Sequence, residues 1–146
     1  MLKGIPPVMS AELMHALMSM GHGDEIVLAD GNFPAAACAK RLIVIPGHGV
    51  PPVLEAILRF LPLDTYVDDS AVVMGVVPGD STVPVIWNDY RCLLAAAEGR
   101  EVALTEMERM AFYEHAKKAY CVIASGERRF YGCFIFAKGV IPPDDK

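Results

Sequence analysis

Glu25-Ile26-Val27-Leu28-Ala29 runs directly into Asp30-Gly31-Asn32. An apolar run of strand length that stops at turn residues reads as a β-strand buried on both faces. Residues 41–45 (RLIVI) repeat the pattern and stop at Pro46-Gly47, and residues 71–77 (AVVMGVV) supply a third such strand. Strands of this kind need helices on both sides of the sheet, and the intervening sequence supplies them.

Residues 10–20 (SAELMHALMSM) read as a helix, with Ser10 as N-cap, Glu12 in the first turn and Gly21 as the stop. Pro51 and Pro52 fit only a first helical turn, so a helix runs to residue 61 and Pro62 ends it. On it, Glu55 and Arg59 are spaced to pair at i,i+4. Residues 84–97 predict another helix and residues 101–104 a short strand. Thr105 can cap a helix over 106–118, on which Glu114 and Lys118 form a second i,i+4 pair. Residues 120–124 and 131–136 read as strands around Ser125-Gly126-Glu127-Arg128-Arg129, an antiparallel hairpin. The fold class is α/β: one three-layer α/β/α domain over residues 1–146, with a mixed, mostly parallel sheet and a frayed tail at 140–146. Ligands in such folds collect at the loops beyond the strand ends.

Composition narrows the function classes. Of 146 residues 53% are hydrophobic, and 13 basic against 18 acidic side chains leave a net charge of −5. Disorder is excluded by the apolar content, and nucleic acid is a poor partner for a chain with no basic surplus. No apolar run reaches the roughly 20 residues of a membrane-spanning helix, and the N-terminus lacks the apolar core of a signal peptide. Cys38, Cys92, Cys121 and Cys133 are scattered without C-x-x-C spacing, which points to a reducing cytoplasm. A mean hydropathy of +0.34 is high for so small a domain and points to a homo-oligomer that buries the surplus between subunits.

Several motifs could carry chemistry. Gly21-His22-Gly23-Asp24 presents a histidine between two glycines, although alone it reads as a helix end and a tight turn. Asp30 ends a buried strand, where it can meet a ligand or cap an Asx-turn. Asp64 lies in an apolar-flanked loop, Leu63-Asp64-Thr65-Tyr66, where turn chemistry is the plain alternative. Arg109 and Tyr113 stand at i,i+4 and can bind a polyhydroxylated ligand or simply pack on each other. Tyr131 and Cys133 share a strand face around Gly132, or serve only strand packing. His15, His48 and His115 read as structural or surface positions. Neither G-H-G segment completes G-x-G-x-x-G, and neither metal-ligand spacing nor a G-x-S-x-G elbow occurs.

Met20-Gly21-His22-Gly23-Asp24-Glu25-Ile26, Asp30 with Phe33-Pro34, Leu61 through Tyr66, Arg109-x-x-Phe112-Tyr113-Glu114 and Gly126-Glu127 with Tyr131-Gly132 follow in one order. In that combination the chain closely resembles the L-fucose mutarotase and D-ribose pyranase family, on the fucose side, from Leu2 to about Gly139. The resemblance implies an α/β sugar-binding fold, ring-shaped oligomers such as decamers, and no metal or cofactor. It implies a proton-donating histidine at His22 and sugar contacts at Asp30, Asp64, Arg109, Tyr113 and Tyr131, with Cys133 in the substrate-binding set. The pyranase branch carries His and Lys where this chain has Arg109 and Tyr113. Two departures stand out: Cys133 where the family carries Asn, and Pro46-Gly47-His48-Gly49 where relatives carry an acidic Ala-Asp-Gly.

The chemistry implied is interconversion of α and β anomers of a monosaccharide, L-fucose or a related pyranose. The ring oxygen gains a proton, the anomeric hydroxyl loses one, the carbonyl rotates and the ring recloses. A histidine with an unperturbed pKa of about 6.5 can serve both transfers. The competing classes are a non-catalytic monosaccharide-binding or transport accessory protein of the same fold, and a purely structural oligomer.

Overall fold

The computed structural model describes residues 2–143, so Asp144, Asp145 and Lys146 of the expected frayed tail lie outside the described residues. Six strands form one sheet in the order β2-β5-β1-β6-β3-β4. They are β1 (Glu25–Ala29), β2 (Leu42–Ile45), β3 (Ala71–Met74), β4 (Thr105–Met107), β5 (Cys121–Ser125) and β6 (Phe134–Ala137). The ladders β1–β5, β2–β5 and β3–β4 are parallel, while β6 runs antiparallel to both β1 and β3. The sheet is mixed and mostly parallel.

The helices are α1 (Ala11–Ser19), α2 (Ala35–Cys38), α3 (Val50–Leu58), α4 (Ile86–Glu98) and α5 (Arg109–Ala116). Residues of the central strands β1, β3, β5 and β6 alternate between two cores, as the pleat requires, whereas the edge strand β2 buries Ile43 and Ile45 and leaves Leu42 and Val44 exposed. Ile26 and Leu28 of β1 pack with Phe134 and Phe136 against Leu13, Leu54, Ile57 and Tyr90 of α1, α3 and α4. Val27 and Ala29 pack with Val72, Val122 and Ile135 against Cys38, Phe112 and Ala116 of α2 and α5. The result is helices, sheet, helices: three layers. Among the described residues no helix is long and apolar enough to cross a membrane.

Local chemistry follows the sequence at several ends. Ser10 accepts a hydrogen bond from the Leu13 N–H at 3.1 Å and caps α1. Pro51 and Pro52 sit in the first turn of α3. Gly99, at φ +65°, supplies the left-handed end of α4.

Five expectations are corrected. The strands at 120–124 and 131–136 form no hairpin: β1 lies between β5 and β6, because each fills a separate gap in the sheet. The strand expected at 101–104 forms instead at 105–107, where Val72 pairs with Thr105. Thr105 is thereby committed to the sheet, and its hydroxyl bonds Asp69 at 2.8 Å. Glu108 caps α5 in its place, accepting from the Met110 and Ala111 N–H groups at 2.8 and 3.0 Å. Because α5 ends at Ala116, Glu114 pairs with Lys117 at 2.6 Å rather than with Lys118. Finally, α1 does not end on a left-handed Gly21: the chain leaves it extended at Met20, and Asp24 accepts from the Gly21 N–H.

The antiparallel course of β6 determines where the loops gather. Leu28 is in register with Phe134, and Phe134 with Val73. The start of β6 therefore shares an edge with the C-terminal ends of β1 and β3, and of their parallel neighbours.

Candidate functional site

Along that edge a cavity of about 590 Å3 opens. Asp30 enters it from the end of β1, Asp80 and Thr82 from the loop after β3, and Arg109 and Tyr113 from α5. Tyr131 and Cys133 arrive from the approach to β6, and Phe33, Met74 and Phe130 add apolar wall. Carboxylates, a guanidinium and phenols above apolar surface make a site for a small polyhydroxylated molecule.

Asp30 is 9% exposed and its carboxylate is partly engaged. Oδ1 accepts from the Asn32 N–H at 3.0 Å, the Asx-turn expected from Gly31-Asn32. Oδ2 accepts from the Gly132 N–H at 3.2 Å, which ties the end of β1 to the approach to β6. Arg109 opens α5 and has no ion-pair partner among the described residues. Tyr113 lies edge-on to Phe33, ring centroids 5.4 Å apart.

Tyr131-Gly132-Cys133 is not strand, contrary to the sequence reading, since β6 begins at Phe134. Side chains take the backbone groups a ladder would have used. Trp87 Nε1 donates to the Tyr131 carbonyl at 3.0 Å, and the Tyr90 hydroxyl donates to the Gly132 carbonyl at 2.5 Å. A Cβ on Gly132 would stand 3.0 Å from Glu127 Cγ and 3.1 Å from the Arg129 carbonyl oxygen, so any larger residue would need the turn to give by a few tenths of an ångström. Tyr131 takes φ +58°, a left-handed conformation uncommon outside glycine. That turn swings both Tyr131 and Cys133 onto the cavity. Burial, then the negative charge of Asp30, push the Cys133 thiol well above its ordinary range, so it stays protonated.

Glu127 braces the same turn. Its carboxylate, 5% exposed, accepts from the Val50, Arg128 and Arg129 N–H groups and from Nε and Nη2 of Arg129. Burial works against its ionisation, but the Arg129 side chain and backbone outweigh it and hold the carboxyl below the usual range.

His22 and Asp64 lie elsewhere. His22 precedes β1, and Asp64 follows the bridge between Leu63 and Lys138, just past the end of β6. Both are at the opposite edge of the sheet from Asp30. The strand between His22 and Asp30 is five residues long, roughly 16 Å at about 3.3 Å per residue. His22 Nε2 is 3.1 Å from Asp64 Oδ2, while Asp64 Oδ1 accepts from the Tyr66 N–H at 2.9 Å. Tyr66 packs edge-on to the imidazole at 5.4 Å. Asp64 is 3% exposed; burial raises its pKa, but the Tyr66 N–H and the His22 ring outweigh it, and the carboxyl stays below the usual range. An ionised Asp64 accepts hydrogen bonds only, so the neutral ring carries its hydrogen on Nε2 and offers the lone pair of Nδ1.

The structure thus brings Asp30, Arg109, Tyr113, Tyr131 and Cys133 together and places His22 with Asp64 apart from them. Asp80, Thr82, Met74 and Phe130 escaped the sequence reading. Val77-Pro78-Gly79-Asp80 carries a turn signal, but its nearness to Tyr131 depends on β6 pairing with β3.

Residues 3–141 match the RbsD / FucU transport protein family. The chain is 49% identical over 146 residues to a fucose mutarotase of Homo sapiens, covering 96% of this chain and 94% of that protein. It is 46% identical over 142 residues to an L-fucose mutarotase of Haemophilus influenzae, covering 97% and 99%. The crystal structure of a fucose mutarotase from Streptococcus pneumoniae in complex with L-fucose superimposes with a TM-score of 0.92 at 46% identity, over 97% of this chain and all of that one. Bacillus subtilis RbsD complexed with D-ribose shares the fold alone, at a TM-score of 0.74 and 19% identity.

Proposed function

The chain belongs to the RbsD / FucU family, and from that premise we propose that it is an L-fucose mutarotase, an isomerase that interconverts the α and β anomers. The observation that carries this reading is the convergence of Asp30, Arg109, Tyr113 and Tyr131 on one cavity with an apolar wall. Carboxylate and phenols bond the sugar hydroxyls, the guanidinium donates to sugar oxygens, and the aromatic faces cover the ring's apolar side. Cys133 occupies the position of the family amide.

His22 is the acid/base in this reading, and it acts on sugar bound by a neighbouring subunit. A strand's length is too far for His22 and Asp30 to grip one pyranose within a protomer. A head-to-tail contact brings the His22 edge of one subunit onto the cavity of the next, and such heterologous contacts close into rings. Exposed apolar side chains stand at both edges: Phe130, 67% exposed, at the cavity, with exposed Met110 next to Arg109 on α5, and Tyr66, 77% exposed, against His22, with exposed Val67 following it. The ring size proposed is the family's decamer. In the assembled site Nδ1 of His22 takes the anomeric proton and the imidazolium returns one to the ring oxygen, while Asp64 fixes the ring's orientation. Four free thiols suit a reducing compartment, and we assign the protein to the cytoplasm.

NMR exchange spectroscopy on L-fucose tests the activity. Cross-peaks between the two anomeric protons that grow with protein concentration are expected. Line broadening without added exchange would instead identify a sugar-binding protein without catalysis, the reading favoured if protomers never assemble. Light scattering tests the ring: a stable species of 15.8 kDa would remove it.

A further inference from the structure

Tyr131 meets the loop after β3 through two hydrogen bonds of opposite polarity. Its hydroxyl donates to Asp80 Oδ2 at 2.5 Å and accepts from the Val77 N–H at 3.3 Å. A phenol has one hydrogen and two lone pairs. The loop therefore engages the hydrogen and one lone pair, and leaves the other lone pair to the cavity. Asp80 is itself held, because its Oδ1 accepts from the Thr82 N–H at 2.8 Å.

We infer that Asp80 is a positioning residue that commits Tyr131 to receive a hydrogen bond from the sugar, so that the cavity selects a hydroxyl donor at the position Tyr131 faces. The inference rests on the sugar-binding reading of this cavity. A carboxylate is a stronger acceptor than any neutral sugar oxygen, so it keeps the phenol hydrogen when sugar arrives. The charges around the pair agree. Asp80 raises the Tyr131 phenol, with Arg109 acting weakly against it, and the bonds from Thr82 and Tyr131 hold Asp80 below the usual range. At neutral pH the phenol is protonated and the carboxylate ionised. The other titratable groups lining the cavity are Asp30, Tyr113 and Cys133. Two consequences follow: Tyr131 supplies no proton to the ring oxygen, and a sugar that lacks the facing hydroxyl is discriminated against.

A sugar-free measurement tests the lock itself. Ultraviolet titration of the wild type against Tyr131→Phe isolates this phenol from the other tyrosines. In Asp80→Ala its midpoint is expected to fall toward the ordinary value of 10.0, while Asp80→Asn, which keeps an acceptor, falls between. An unchanged midpoint in Asp80→Ala overturns the lock. Calorimetric affinities for monodeoxy and monofluoro analogues of L-fucose test the selectivity. The position facing Tyr131 is the one whose deoxy penalty, about two- to tenfold, disappears in Tyr131→Phe. There fluorine, which accepts but cannot donate, should bind no better than hydrogen. A fluoro analogue several-fold tighter than the deoxy one in the wild type overturns the inference. Failure of the wild type to bind L-fucose would overturn the sugar-binding reading, while the titration would still decide the lock.

Discussion

Two separate lesions distinguish a site shared between subunits from one contained in a single protomer. His22→Ala removes the proposed acid/base from one edge of the sheet, and Arg109→Ala removes a guanidinium from the cavity at the other. General acid–base groups contribute about 10²–10⁴-fold, so His22→Ala alone should be nearly inactive. A hydrogen bond to a charged group is worth about 1.5–3 kcal/mol, so Arg109→Ala should lose roughly 10- to 150-fold at subsaturating sugar. Arg109 holds no ion pair among the described residues, so its loss should leave the fold intact. Co-expressed in equal amounts, the variants should assemble mixed rings if the proposed ring forms. An interface then joins an intact histidine edge to an intact cavity in about one case in four. Exchange spectroscopy on the mixture should recover about a quarter of wild-type activity, well above the mean of the two parents. Recovery no greater than that mean would refute the argument from strand length, because a self-contained site is damaged in every subunit of the mixture.

Cys133→Asn puts beside Asp30 the amide that the family resemblance implies, and one added hydrogen bond of about 0.5–1.5 kcal/mol should tighten L-fucose binding several-fold by calorimetry and narrow the range of pyranoses accepted. Unchanged or weaker affinity would mean that Cys133 packs on the sugar's apolar side. Asp64 and Glu127 both have depressed folded-state pKa values, so their bonds contribute stability above the free values of 3.8 and 4.5 that is lost as pH falls below them. Asp64→Asn and Glu127→Gln should therefore lower the urea midpoint more at pH 6 than at pH 3, and a loss equal at both would contradict this. Gly126→Ala would place a Cβ 2.2 Å from the Pro46 carbonyl oxygen, so the backbone must shift, at a cost of about 1–3 kcal/mol or more by urea denaturation.

The apolar runs of β1 and β3 and the prolines of α3 were legible because burial on two faces and a fixed φ leave direct marks in sequence. The course of β6 was not. Residues 120–136 read equally well as a hairpin, and choosing between a hairpin and two separate insertions requires knowing which gaps the earlier strands leave. The same choice hid Asp80, whose contact with Tyr131 spans 51 positions of sequence. The left-handed Tyr131 was equally hidden, because the bonds that replace its ladder come from Trp87 and Tyr90 on α4. Arg109 and Tyr113 were found by helical spacing alone, since both side chains belong to one short helix. Which face of that helix met a cavity was set by the strands around it.

The place of β6 also bears on how the chain folds as it is made. β1 and β3 never pair with each other; each is joined to β6, and β2 reaches β1 only through β5. Until residues beyond 120 leave the ribosome, four strands have been synthesised and only β3 and β4 have a ladder available. A sheet that closes from its last-made strands relies on contacts distant in sequence, which slows folding and leaves strand edges open meanwhile. Tyr131 and Cys133 lie immediately before the strand that ends this wait, so the cavity takes shape in the same event that joins the two halves of the sheet.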